Sequence, residues 1–132
     1  MQLADHMGLS SNISFLGFQD NPYKYMKKAS IFVLSSLQEG FGNVIVEAMA
    51  CGTPVVSTNC KSGPGEIIQP GINGLLVKTQ DKKELAEAIL KILNNPVLAE
   101  KFSEEGKKRA KFFSVERSVS EYEKIFDKLS GV

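Results

Sequence analysis

A chain of 132 residues, 42% hydrophobic and 23% charged, is long enough to bury one core and has the composition of a folded globular domain. A formal net charge of +1, with no basic block and no interleaving of aromatic and basic residues, excludes the usual footprint of a nucleic-acid binder. Two cysteines without a CxxC spacing and a single histidine exclude a zinc site built on paired cysteines or clustered histidines, and no metal is expected.

In chain order, Leu3 and Met7, followed by Gly8, read as the end of an amphipathic helix stopped by glycine. The apolar stretch 12–18 (NISFLGF) predicts a short strand. Asn21 and Pro22 open a short helix with Pro at its first position and Tyr25 and Met26 turned inward. Residues 31–34 (IFVL) form a continuous apolar run, as in a strand buried on both faces of a parallel sheet. After the loop 35–42, a helix is predicted over 43–51, stopped by Gly52, and 54–58 (PVVST) predicts the next buried strand. The turn-rich stretch 61–65 leads to a short helical piece around Glu66 and Ile67, and 74–77 (GLLV) is the last strand.

Beyond it, Asp81 with Glu84 three residues later predicts a capping box for a helix with Leu85, Ile89 and Leu93 on one face. Asn94, Asn95 and Pro96 break that helix and begin another, carrying Leu98 and Phe102. Ser114 caps a final helix whose Val115, Val119, Tyr122, Phe126 and Leu129 recur at spacings of four and three. The order predicts an α/β fold: a Rossmann-like parallel sheet of about four strands with helices on both faces and a helical C-terminal tail. No repeat, linker or low-complexity segment divides the chain, so 1–132 is expected to form one domain. So thin a sheet, in a chain opening on the end of a helix, is expected to lack the first strands of a larger domain; a self-sufficient small sheet is the alternative.

No N-terminal stretch has a basic start followed by an apolar core, so no signal peptide is expected. The most apolar run, 44–50, is interrupted by Glu47 and is far too short to span a bilayer. Cys51 and Cys60 read as reduced, partly buried thiols, and the expected location is cytoplasmic. His6 reads as a surface or packing residue.

In an open parallel sheet, ligands sit beyond the carboxyl ends of the strands. The loop there that stands out is 35–43 (SSLQEGFGN), which runs straight into VIVEAMA. Gly40 and Gly42 let backbone N–H groups approach a ligand closely. The helix predicted from Asn43 points its positive end and unpaired N–H donors into the same space. Two carboxylates, Glu39 and Glu47, bracket the loop with seven residues between them. Carboxylates would repel a bare phosphate, but each accepts hydrogen bonds from neighbouring hydroxyls. The layout suits a diphosphate with a polyol at each end: a nucleotide-sugar, with Glu39 on the sugar, the glycine loop on the phosphates and Glu47 on the ribose. Glu39 as a solvated loop residue, Glu47 bonded to nearby backbone, and Gly40 and Gly42 as turn glycines are the alternatives.

EGFGNVIVEAMACGTPVV, followed by SGPGEII and GINGLLV, resembles the family-four glycosyltransferases, retaining enzymes of the GT-B architecture; the resemblance extends from NISFLGF to FFSVERS. It implies that the chain is a C-terminal, donor-binding domain truncated at its N-terminal side. It implies that Glu39 contacts hydroxyls of the donor sugar in a positioning role, with no protein nucleophile. Gly40, Phe41, Gly42, Asn43 and Val44 would meet the sugar and phosphates, Glu47 the ribose, and Phe18 and Gln19 the base. No cofactor is implied beyond the donor substrate, a UDP-linked hexose or N-acetylhexosamine. The acceptor, a glycan or lipid-linked glycan, would bind a missing N-terminal domain, and the intact enzyme would associate peripherally with the inner face of a membrane. The family's basic pair for the leaving diphosphate has no counterpart here, since Lys24, Lys27 and Lys28 do not fit it. The chain alone is therefore expected to turn over little or no substrate, with its last helix packing across to the missing domain in the whole enzyme.

The segment SGPGEII matches the family's glycine-x-x-glutamate loop loosely, and a helix-start turn with Glu66 near the N-terminus is an equal reading. Tyr23 and Tyr25 read as core and rim, with the base pocket as the alternative. A dinucleotide-binding oxidoreductase is one rival, but GFGNVI lacks the third glycine and the next strand ends in Asn59 rather than an acid. A non-catalytic α/β binding domain is the other; a phospho-receiver would want an aspartate at a strand end, where Ser35 and Asn59 stand.

Overall fold

The computed structural model describes residues 2–130, with side chains described as far as Lys128. In chain order the elements are α1 (Gln2–His6), α2 (Tyr23–Met26), β1 (Phe32–Leu34), α3 (Asn43–Ala50), β2 (Val55–Thr58), α4 (Pro64–Ile67), β3 (Leu75–Val77), α5 (Lys82–Leu93), α6 (Pro96–Lys111) and α7 (Val115–Ser130). The strands are parallel and pair in the order β1-β2-β3, with Val33 opposite Val56 and Ser57 opposite Leu76.

β2 lies at the centre and all of it is buried. Successive side chains of a strand point to opposite faces, so adjacent valines serve separate cores. Val55 joins Ile45 and Met49 of α3 and Ile67 of α4. Val56 joins Val77 of β3, Ala88 and Ile92 of α5, and Phe102 of α6. Helices thus cover both faces, as a parallel sheet requires. α6 sends Phe102 to one core and Ala110 to the other, and so ties the two together. Its close approach to α3 depends on Gly106, where a Cβ would stand 3.3 Å from Met49 Cγ. Asn95 caps α6, accepting from the Leu98 N–H at 3.0 Å, and Pro96 follows at its first turn.

The structure departs from the sequence reading at five places. Residues 12–18 form no strand; Phe15 is 62% and Phe18 90% exposed, and no described strand lies alongside to complete a ladder. The sheet therefore has three strands among the described residues. β1 is half-buried rather than buried on both faces, because it is an edge strand. Pro22 stands at the N-cap of α2, one position before the helix, and of the two expected inward residues only Met26 is buried. In α5, Asp81 accepts from the Glu84 N–H at 2.9 Å, but Glu84 reaches back to the Lys78 N–H at 2.8 Å, so the box is not reciprocal. Leu93 faces out while Ala88 and Ile92 are buried: a strict spacing of four rotates by about 40° per step around a 3.6-residue helix, carrying the third residue off the face. The apolar stripe of α7, expected to be partly exposed in this chain, is exposed at Val115, Val119, Tyr122 and Phe126; Leu129 lies outside the described side chains.

Cys51 and Cys60 are free thiols, half-buried and buried. His6 is exposed, with Nδ1 2.7 Å from the Gln2 carbonyl oxygen.

Candidate functional site

The loop between β1 and α3 is shaped by two glycines with different duties. Gly42 is the N-cap of α3 at φ 87°, in the left-handed region, and offers no side chain to cap the helix. The first N–H donors of α3 are thus left to an outside partner, apart from the Ile45 N–H, which bonds the Gly42 carbonyl at 2.9 Å. Gly40 is exposed, and a Cβ there would meet nothing within 4 Å. Packing does not require glycine at 40; open space in front of it does not preclude a ligand.

Glu39 is half-buried and is tied to the sheet. It accepts from the Ser36 hydroxyl at 2.5 Å, and the Ser36 carbonyl accepts from the Thr58 hydroxyl at the end of β2, also at 2.5 Å. Glu39 is therefore fixed rather than freely solvated. Glu47 is half-buried on α3, whose buried face is Ile45, Ala48 and Met49. It lines a groove of about 680 Å³ with Phe41, Asn43, Val46 and Ala50 on one wall and Lys107, Lys111 and Phe113 on the other. Half-buried and lining the groove, Glu47 avoids the cost of burying an unpaired carboxylate on an otherwise apolar helix.

The groove gathers Phe41, Asn43 and Glu47 of the residues singled out in the sequence. Glu39 is not among its lining residues, and neither are Gly40, Gly42 and Val44, which lie on the same loop and first turn. Phe18 and Gln19 are not among its lining residues either; Gln19 donates to the Leu16 carbonyl at 2.8 Å and accepts from the Tyr25 hydroxyl at 3.1 Å. That bond accounts for the exposed position of Tyr25. The segment 61–68 forms the helix-start turn: Glu66 accepts from the Gly63 N–H at 3.4 Å at the head of α4.

Sequence reasoning missed the far wall of the groove. Lys107 and Lys111 line the groove together with Glu47. Lys107 is paired with Glu104 at 2.8 Å, and that hydrogen bond raises its pKa above the ordinary value. The available signal was Gly106, a glycine inside a helical stretch, which marks where α6 lies close against α3. Carboxylate, ammonium groups and uncapped helix N–H donors in one neighbourhood suit a ligand with both anionic and hydroxyl groups. Among the described residues no group of three or more His, Cys, Asp or Glu could hold a metal ion. No helix among them is long and apolar enough to cross a membrane.

Comparison with known proteins supplies a family. Residues 1–109 match the model described as "Glycosyl transferases group 1". A Campylobacter jejuni transferase that adds N-acetylgalactosamine to an undecaprenol-diphosphate-linked glycan is 35% identical over 86% of this chain and 31% of its own length. Sucrose-phosphate synthase from Thermosynechococcus elongatus superposes with a TM-score of 0.88 at 33% identity, over 98% of this chain and 33% of that one. The Anabaena protein HepE in complex with UDP gives 0.84 at 29% identity, over 99% of this chain and 35% of its own. The chain spans about a third of the length of the curated relatives it matches.

Proposed function

We propose a donor-binding function for this chain, which belongs to the glycosyl transferases of group 1. In this reading the chain is one domain, the C-terminal donor-binding domain of a longer enzyme truncated at its N-terminal side, and holds a nucleotide-sugar whose sugar the whole enzyme transfers. One observation carries it: an uncapped start of α3, led by Gly42 in a left-handed conformation, beside a groove lined by Glu47 and flanked by the anchored Glu39. The helix N-terminus stabilises the negative charge that builds on a departing diphosphate. Glu47 accepts from the ribose hydroxyls and Glu39 from the sugar, as a positioning group; Gly40, Phe41, Asn43 and Val44 line the path between, and Phe18 and Gln19 reach the base. Lys111, which lines the same groove, adds cationic charge to it.

The UDP complex of HepE supports UDP as the nucleotide, and the Campylobacter enzyme supports N-acetylhexosamine transfer to a lipid-linked glycan. Transfer with retention, without metal or further cofactor, at the cytoplasmic face of a membrane completes the proposal. The acceptor site belongs to the part of the enzyme outside this chain, so the chain by itself binds donor and turns over little.

The test is isothermal titration of the chain with UDP-glucose, UDP and NADH, wild type against Glu47→Ala. UDP and UDP-glucose bind, NADH does not, and Glu47→Ala weakens both by about tenfold, the value of one hydrogen bond to a charged group. Tighter binding of NADH, or UDP affinity indifferent to Glu47→Ala, would overturn the reading.

A further inference from the structure

Phe41 sits between Gly40 and Gly42, at the centre of the loop that leads into α3, and two contacts hold it. Its backbone abuts Gly63, where a Cβ would come 2.4 Å from the Phe41 carbonyl oxygen. Its ring meets that of Phe113 edge-on, with centroids 5.3 Å apart. Both contacts lead back to one side chain. Arg109 of α6 donates Nε to the Ile67 carbonyl at 2.9 Å and Nη2 to the Glu66 carbonyl at 2.5 Å, gripping the end of the helix that Gly63 begins. Its guanidinium also lies 4.9 Å from the centroid of the Phe113 ring.

We infer that Arg109 is a positioning residue for the donor loop: one guanidinium fixes α4 and the Phe113 ring, and these fix the backbone and ring of Phe41 from two sides. The inference rests on the donor reading above. The chemistry of the grip is specific to arginine. The carbonyls at the end of α4 have no further helical turn to bond and carry the negative end of the peptide dipoles, so a forked cation satisfies two of them at once. A planar guanidinium does this while its face remains available to an aromatic ring, which an ammonium group cannot do. Gly63, buried and at φ 77°, passes the constraint to Phe41 without a side chain between. A parallel bridge between Gln38 and Lys61 joins the two loops at a second point. Arg109 is not among the residues that line the groove; it acts through α4 and Phe113.

Arg109→Lys keeps the charge and removes the fork and the stacking. Two measurements on the chain test the role. Amide 15N relaxation should show the order parameters of residues 40–44 falling from about 0.85 towards about 0.6, while those of Val56 and Ser57 in β2 stay unchanged. UDP-glucose affinity should fall about tenfold, with the unfolding midpoint of the variant still well above the assay temperature. Phe113→Leu, which removes the ring route, should lower the order parameters of residues 40–44 in the same direction by less; Phe113 also lines the groove, so for this variant only the order parameters bear on the role. Unchanged order parameters in 40–44, equal loosening of β2, or undiminished UDP-glucose binding would overturn the positioning role. A wild type that binds neither UDP nor UDP-glucose, with Arg109→Lys still loosening the loop, would remove the donor reading and keep the anchor.

Discussion

Gly63 and Gly40 show how differently two glycines of neighbouring loops are constrained. Gly63 has φ 77° and ψ −83°, a region L side chains avoid, and its missing Cβ makes room for the Phe41 carbonyl. Gly63→Ala therefore costs at least about 2 kcal/mol of stability, from backbone strain and the clash together, and urea unfolding would measure it. Gly40→Ala should change stability by no more than about 0.5 kcal/mol, since its Cβ would point into open space. If Gly63→Ala unfolds at the wild-type midpoint, the tight packing of the two loops is not as described. Thr53 makes the same point for a polar group: buried, it donates its hydroxyl to the Met26 carbonyl at 2.6 Å and holds α2 against the turn after α3.

Capping sets where the elements begin. Asp81 accepts from the Glu84 N–H at the start of α5, and Glu84 closes the preceding turn on Lys78. Asp81→Ala should cost about 1 kcal/mol, read as a lower urea midpoint with an unchanged m-value, because the donor at the helix start loses its partner. No loss of stability would mean that water caps α5 equally well. α5 and α7 contrast in what their apolar residues meet. Ala88 and Ile92 of α5 have β2 and β3 to cover, whereas Val119 and Tyr122 of α7 are 49% and 64% exposed. Ser114 still starts α7, accepting from the Arg117 N–H at 3.3 Å. Local signals define this helix without deciding what its apolar face packs against.

For the whole molecule, the exposed face of α7 has a measurable consequence. A contiguous apolar stripe on a soluble domain favours association. Sedimentation of the chain should give a mass that rises with concentration, and Val119→Lys with Tyr122→Lys should restore the monomer. A wild type that stays monomeric throughout would show that this face does not pair with itself. The same face is where we expect the rest of the enzyme to pack.

Local and periodic features are legible directly in the residues. Strands declared themselves in PVVST and GLLV, caps in Asp81 and Asn95, the helix stop in Gly52, and the glycine loop between Glu39 and Glu47 in residue type and spacing alone. These depend on neighbours within a turn or two, and short-range physics writes them into short stretches of sequence. What the fold alone decided involves partners far apart in the chain. It left 12–18 without a strand beside it, made β1 an edge, and brought Lys107, Lys111 and Phe113 to the groove with Glu47. It also set Arg109 behind Gly63 and Phe113, so that α6 steadies a loop many residues before it. No period or motif records such a juxtaposition, because it exists only once two helices have packed against the same sheet.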